Sequence, residues 1–482
     1  MAMKGFTRRI KPIEILNDEQ FESIHRGTLD VLENVGMRIE HKKALSLLEK
    51  NGCHVDHSSR RVKFPPGLVE ECLRKAPSSF RVRARDSKND LIIGGNTVYF
   101  GPAPGKQTVD IDTWEPREAT RKETYDCLTV LDALPNIHFL PSYTPYFGFE
   151  DIPPVMRIPE ICAAKIRNSS KWLFEGHSND CEVFVIQMAE ALGIDIMESV
   201  LASPPLTYYG EAMECAFRLA EAGMPARVLT GPVSGATAPA TIAGSVLTAN
   251  AEIIAGVVIL QLIRPGLRVE VKDFTFPQNM KTGAPAFANI GVSLHGVIFN
   301  QIWRRYGIPV GMTTAYPNSK VSDSQLGYEK ALIALNAALS GVNLQLVQGS
   351  VHGELTHHPV QAIIDDDLVG MVGRFIEGVE INEETLALDL IAEVGPIPGE
   401  YLSKAHTRKW WRTEQFLPQV ADVLTYPEWL RTGKKTCLDY AREKMEEILA
   451  THKPTPLSPD QEKDIETILE DARKFYKGKG LM

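Results

Sequence analysis

Ile308–Gly353 reads IPVGMTTAYPNSKVSDSQLGYEKALIALNAALSGVNLQLVQGSVHG, and this stretch decides the fold. Ile308, Val310 and Met312 alternate at strand period, and Ser322 with Gln325 has the spacing of a helix-starting capping box. Leu332, Leu335 and Leu339 then recur at helical spacing, Gly341 is placed for a left-handed cap, and Asn343–Val347 extends again. Strand, helix and strand make a βαβ unit, whose two strands are parallel and whose crossover is right-handed. The loops at Tyr316–Ser322 and Gly349–Gly353 therefore open on one edge of the sheet, the edge where α/β folds place their ligands.

The same alternation extends outward. Ile137–Leu140, Trp172–Gly176, Val200–Ala202, Val228–Gly231 and Leu267–Lys272 are short apolar or alternating runs, most of them followed by a helical segment. With Ile308–Thr313 and Asn343–Val347 they supply seven strands of an eight-stranded (β/α)8 barrel, and Thr97–Phe100 is the candidate for the eighth. Ala240–Ile263 is the clearest helix, with Ile242, Val246, Ala249, Ile253, Val257 and Leu260 on one face. The expected organisation is an α+β module over residues 1–120, a barrel core over 121–358 and a helical extension over 359–482. His357–His358 reads as a helix start and Asp365–Asp367 as a solvated helix face.

A chain of 482 residues can bury a large core, and 44% hydrophobic with 23% charged residues is an ordinary globular composition. The net charge of -9 leaves no electrostatic footprint for nucleic acid. The seven cysteines are scattered and contain no C-x-x-C, as in a protein with reduced thiols. The amino-terminal MAMKGFTRRIK has no apolar core of signal-peptide length, and Gly, Pro or charge breaks the apolar runs. A cytoplasmic protein that does not enter a membrane is expected.

Four loops share a property. PYFGFED after Thr144, TYYGE from Thr207, VKDFTFP from Val271 and TAYPNS from Thr314 each put aromatic rings at or beyond a strand's C-terminal end. One ring alone would be read as packing its loop over the barrel. Four converging loops make an aromatic cage, whose ring faces attract quaternary ammonium groups. His177 in FEGHSND and His352 in GSVHG also follow strands and are candidates to hold a carboxylate. No metal site is expected, because the ligand pairs of structural zinc and an H-E-x-x-H are missing. The glycines at Gly94–Gly95 and Gly231–Gly235 lack dinucleotide-fingerprint spacing.

Three long segments, Gly231–Gly266, Ser322–Gly353 and Leu386–Arg412, strongly resemble the trimethylamine methyltransferase family, the MttB-like proteins. The resemblance extends from the first helix to PEWLRTGKK near residue 435. It implies a TIM barrel that moves a methyl group from a methylated amine to the cobalt of a separate corrinoid (cobalamin) protein, with no cofactor bound by this chain itself. Archaeal trimethylamine enzymes carry pyrrolysine in the barrel, whereas this chain has standard residues throughout. It therefore resembles the non-pyrrolysine branch, which implies a quaternary amine, with glycine betaine first and proline betaine, carnitine or γ-butyrobetaine as alternatives.

On that reading the cage candidates are Tyr143, Tyr146, Phe147, Tyr208, Phe274, Phe276 and Tyr316. His177 and His352 are the carboxylate candidates and Gln348 a polar donor. These positions come from strand ends, not from a family motif. A betaine-binding protein without catalysis is the alternative of another class. The broad helical faces of such a barrel predict a homo-oligomer.

Overall fold

A computed structural model describes residues 5–482, so the reading of the amino-terminal MAMKGFTRRIK lies partly outside the described residues. Eight short strands form the barrel: β1 Thr97–Pro102, β2 Phe139–Leu140, β3 Trp172–Glu175, β4 Met197–Leu201, β5 Ala226–Thr230, β6 Val269–Asp273, β7 Val310–Gly311 and β8 Leu344–Gln348. From β2 onward each pairs in parallel with the next, for example Val200 with Val228, Val228 with Val271 and Gly311 with Leu344. β8 returns to β1 with Leu344 opposite Tyr99, so Thr97–Pro102 is the eighth strand. The seam between β1 and β2 is closed by His138, whose backbone N–H donates to Phe100 O at 2.8 Å. Its ring Nδ1 accepts from Phe100 N at 3.0 Å. That bond needs a neutral imidazole, and burial lowers the His138 pKa to about 4.

Eight helices alternate with the strands: α1 Arg121–Ala133, α2 Arg157–Asn168, α3 Glu182–Leu192, α4 Gly210–Ala222, α5 Ile242–Ile263, α6 Ile290–Tyr306, α7 Ser324–Ser340 and α8 Pro359–Ile376. α7 starts one residue later than the spacing predicts. Its cap is Asp323, whose carboxylate accepts from Leu326 N, while Gly341 does end it at φ +101°. His358 caps α8, as expected of a helix start. α5 is buried nearly all round and not on one face. It is long and apolar enough to cross a bilayer, yet 78% of its most apolar window is buried inside the fold. The strand β1 comes from the segment assigned to the N-terminal module and α8 from the segment assigned to the extension.

Asp365, Asp366 and Asp367 are not a solvated face: all three are buried. Asp365 meets Lys330 at 2.6 Å and accepts from Gly349 N at 2.8 Å. Asp366 accepts from Asn136 N at 3.2 Å, and Asp367 takes the backbone N–H groups of Gln419, Val420 and Ala421. Consecutive residues on a helix point in different directions. Three different neighbours cover them, which a single sequence cannot show.

The N-terminal segment supplies helices Asp18–Asp30, Lys42–Lys50 and Pro66–Lys75 and a small sheet of Met37–Ile39, Arg61–Lys63 and His54–Asp56. The Asn17 and Gln20 capping box forms as expected. The loop after β4 adds a fourth strand to this sheet, Thr207–Tyr208, parallel to Met37–Ile39. Beyond α8, the short helices between Glu383 and Arg431 bury none of their residues. Cys437–Thr451 returns to pack against α8 and α1, and Pro459–Gly478 against α3 and α2. All seven cysteines are free thiols, six of them buried.

Candidate active site

The C-terminal ends of the strands surround a cavity of about 420 Å³. Six of its lining residues are Tyr or Phe. Phe174 rises from the last turn of the barrel interior on β3, Phe274 follows β6, Tyr316 follows β7, and Tyr143 and Phe147 come from the loop after β2. Tyr143 and Phe147 stand 4.5 Å apart by ring centroid. Phe274 meets Tyr316 edge-on at 6.2 Å, and the Tyr316 hydroxyl donates to Pro104 O at 3.2 Å, which fixes the ring. Burial raises the phenol pKa values of Tyr143 and Tyr316, so both rings stay neutral.

Five of the ten sequence candidates line this cavity: Tyr143, Phe147, His177, Phe274 and Tyr316. The other five lie elsewhere, each for a local reason. Tyr146 faces away from its neighbour Phe147 and donates to Thr108 Oγ1 at 3.2 Å. Tyr208 belongs to the strand that joins the N-terminal sheet and donates to Glu252 O at 3.0 Å, so Tyr209 faces the cavity instead. Phe276 stands behind the wall, edge-on to Phe274 at 5.0 Å and to Phe287 at 4.9 Å. A register shift between Leu346 and Gln348 turns Gln348 away from the cavity, where it donates to Asn136 O at 3.1 Å. His352 sits in a left-handed turn at φ +54°, and the cavity takes Glu354, two residues on.

His177 donates from Nδ1 to Ser199 O at 2.6 Å. That bond occupies Nδ1 and leaves Nε2 as the ring's remaining polar atom.

The floor carries charges that the loop reading passed over. Arg227 on β5 and Lys272 on β6 both point into the barrel and line the cavity. Arg227 is held on both sides: two of its nitrogens donate to the Glu270 carboxylate, and its guanidinium carbon lies 4.0 Å from the Phe174 ring centroid. Lys272 Nζ donates to Thr314 Oγ1 at 3.2 Å. Burial, followed by repulsion from Arg227, brings its pKa down to about 7. The available signal was the pattern itself, since ARVLT and VEVKD set charged residues within apolar barrel strands. Glu211, Tyr209 and Glu354 form an exposed rim. Among the described residues no three His, Cys, Asp or Glu side chains converge as a metal site.

The fold and the cavity together define an α/β barrel with an aromatic-walled small-molecule site at the C-terminal ends of its strands. The chain belongs to the trimethylamine methyltransferase (MTTB) family, whose sequence profile matches residues 1–474, and is an MttB-family methyltransferase. It is 30% identical over 474 residues to trimethylamine methyltransferase MttB of Desulfitobacterium hafniense strain DSM 10664 / DCB-2, covering 95% of this chain and 94% of that one. It is 28% identical over 457 residues to glycine betaine methyltransferase of D. hafniense strain Y51, covering 92% and 94%. Among solved structures, monomethylamine methyltransferase MtmB of Methanosarcina barkeri aligns with a TM-score of 0.48 and 13% identity, covering 96% of this chain and 93% of that one.

Proposed function

We propose that this methyltransferase takes its methyl group from a quaternary amine, glycine betaine first, and passes it to the cobalt(I) of a corrinoid carried by a partner protein. The observation that carries the reading is the cavity wall, where Tyr143, Phe147, Phe274 and Tyr316 present rings around one space and Glu354 adds a carboxylate at its rim. Such a surface suits a soft, fully methylated cation that has no N–H to donate. Proline betaine, carnitine and γ-butyrobetaine present the same head group and are the alternatives.

The chemistry asks little of the protein beyond alignment. The nitrogen already bears its positive charge, so the C–N bond breaks with its electron pair going to nitrogen, and a neutral tertiary amine leaves. Dimethylglycine is the product from glycine betaine, and no proton is needed for its departure. The corrinoid supplies the nucleophile, a second substrate and not a group held by this chain. The rings and charges of the cavity orient one methyl toward the mouth for in-line attack. Binding the cation too tightly would oppose the reaction, because its charge falls on the way to the transition state.

The reading extends to a cytoplasmic homo-oligomer. It is supported by the exposed apolar side chains Tyr328 and Leu332 on α7 and Met371 and Phe375 on α8. The test of the activity is a visible spectrum. The protein is mixed with cobalt(I) corrinoid protein and each amine in turn, and glycine betaine is expected to give the methyl-cobalt(III) spectrum. Turnover with trimethylamine and with no quaternary amine would overturn the reading, and binding without any spectral change would favour a betaine-binding protein.

A further inference from the structure

Four lysines are buried among the described residues: Lys165, Lys171, Lys272 and Lys330. Three of them are matched. Lys165 faces the Glu175 carboxylate, Lys330 meets Asp365 at 2.6 Å, and Lys171 donates to Leu131 O at 2.9 Å and Leu134 O at 2.8 Å. Lys272 has one neutral hydroxyl, Thr314 Oγ1, and the ring of Phe274, whose centroid lies 5.6 Å from Nζ, and of the four it alone lines the cavity.

Its potential counter-charges are engaged elsewhere. Glu270, on the same strand, is held by two nitrogens of Arg227 from β5. Asp273 is bonded by His295 Nδ1 at 2.8 Å from α6, by Thr275 Oγ1 at 2.6 Å and by Thr313 Oγ1 at 3.2 Å. A buried ammonium with neither an adjacent anion nor a set of carbonyl acceptors is costly, and at a cavity wall an anion brought from outside would relieve that cost.

The opposite sign stands at the other end. Glu354 lies in the loop six residues beyond the end of β8, with its residue exposed at the cavity rim; its carboxylate accepts no hydrogen bond from the described residues, and the burial of that carboxylate against the mouth raises its pKa. Lys272 lies within β6, inside the barrel. Phe274 lies beside Lys272, and Tyr316 meets Phe274 edge-on at 6.2 Å.

We propose that the cavity is a bipolar sleeve for a zwitterion: Lys272 and Thr314 hold the substrate's carboxylate at the floor, while Glu354, Phe274 and Tyr316 hold its ammonium at the mouth. This rests on the proposed function and deepens it by assigning the residues that hold each end of a zwitterionic substrate. The charge gradient also orients the molecule. A betaine enters carboxylate first, and its methyl groups are left facing the opening through which a methyl acceptor approaches. Lys272 is a positioning and specificity-determining residue, remote from the bond that breaks. Its depressed pKa adds a consequence: above pH 7 the floor must gain a proton when a carboxylate arrives.

The test is isothermal titration of the purified chain with three ligands of one shape class. Glycine betaine carries both charges, tetramethylammonium only the positive one, and 3,3-dimethylbutanoate only the negative one. Wild type is expected to bind glycine betaine at least tenfold more tightly than either singly charged compound. Lys272→Met should weaken both carboxylates by about 100-fold, the scale for removing one partner of a buried charge pair, and change tetramethylammonium by less than about threefold. Lys272→Arg should retain most of the carboxylate affinity. At pH 8, titrations of wild type in two buffers of different ionisation heat should show proton uptake with each carboxylate and none with tetramethylammonium, a readout that needs no variant. Unchanged glycine betaine affinity in Lys272→Met, or equal losses for all three compounds, would overturn the proposal. Should 3,3-dimethylbutanoate bind through Lys272 while no ammonium compound binds, the anion anchor stands and the quaternary-amine function falls. Should tetramethylammonium bind wild type as tightly as glycine betaine, the sleeve falls and that function stands.

Discussion

Arg227 and Glu270 face each other across β5 and β6 inside the barrel, joined through two guanidinium nitrogens, the longer bond 3.2 Å. This pairing engages the arginine and a neighbouring carboxylate with each other, and so leaves Lys272 without a paired anion. The pair holds two of the short parallel strands at the level where the cavity begins.

Glu270→Ala is expected to cost about 3–5 kcal/mol, because it strands a buried guanidinium. Arg227→Met combined with Glu270→Leu should cost much less than the single change, since no uncompensated charge remains. Urea unfolding of wild type, the single and the double variant checks the order. A double variant as unstable as Glu270→Ala would refute this account of the pair.

Glu252 on α5 accepts from Leu206 N at 2.7 Å and from the Thr230 hydroxyl, and burial raises its pKa to about 7. In the unfolded chain the carboxyl titrates at its ordinary value, 4.5, so the folded protein binds the extra proton between these values. The contribution of this group is favourable at low pH and is lost as pH rises through about 7. Glu252→Gln removes the titration. From pH 5.5 to pH 8 its stability relative to wild type should improve by about 2 kcal/mol, measured by urea unfolding at the two pH values.

Tyr208 and Tyr209 are adjacent but serve opposite sides. Tyr208→Phe should lower stability by about 1 kcal/mol through the lost bond to Glu252 O and leave glycine betaine affinity within twofold. Tyr209→Ala, at an exposed position on the cavity wall, should do the reverse and weaken glycine betaine by about fivefold, on the scale of a partly exposed cation–π contact. Thermal melting and titration on the same two variants separate the effects.

Leu332 and Phe375 are 48% and 57% exposed on adjacent helices. Wild type is expected to sediment as an assembly of more than one chain, and Leu332→Glu with Phe375→Glu to sediment at the mass of one. An unchanged sedimentation coefficient in the variant would remove this face from the interface.

Much of the barrel was legible in the chain. Ile308–Gly353 announced its βαβ unit through local signals, alternation, a capping residue and Gly341, and the seven strand runs fell where the barrel has strands. The aromatic loops were also legible, because strand ends and loop composition are properties of contiguous sequence. What could not be read was the side of each loop residue. Tyr146 against Phe147, Tyr208 against Tyr209 and His352 against Glu354 differ only in which way the backbone turns. That turn is set by distant partners, for example Thr207 pairing with Arg38.

The sequence by itself determined the parallel α/β architecture, the edge that bears the site and the family, since each follows from local periodicity or from long matching segments. Only the tertiary structure decided which side chains meet there. Closing β8 onto β1 turned one face of every strand inward, and that closure made interior residues of Arg227, Glu270 and Lys272. It also buried Asp365–Asp367. Burial and charge pairing depend on neighbours tens to hundreds of residues away, so a charged residue in a strand can be seen in the sequence while its counter-charge, or the lack of one, cannot.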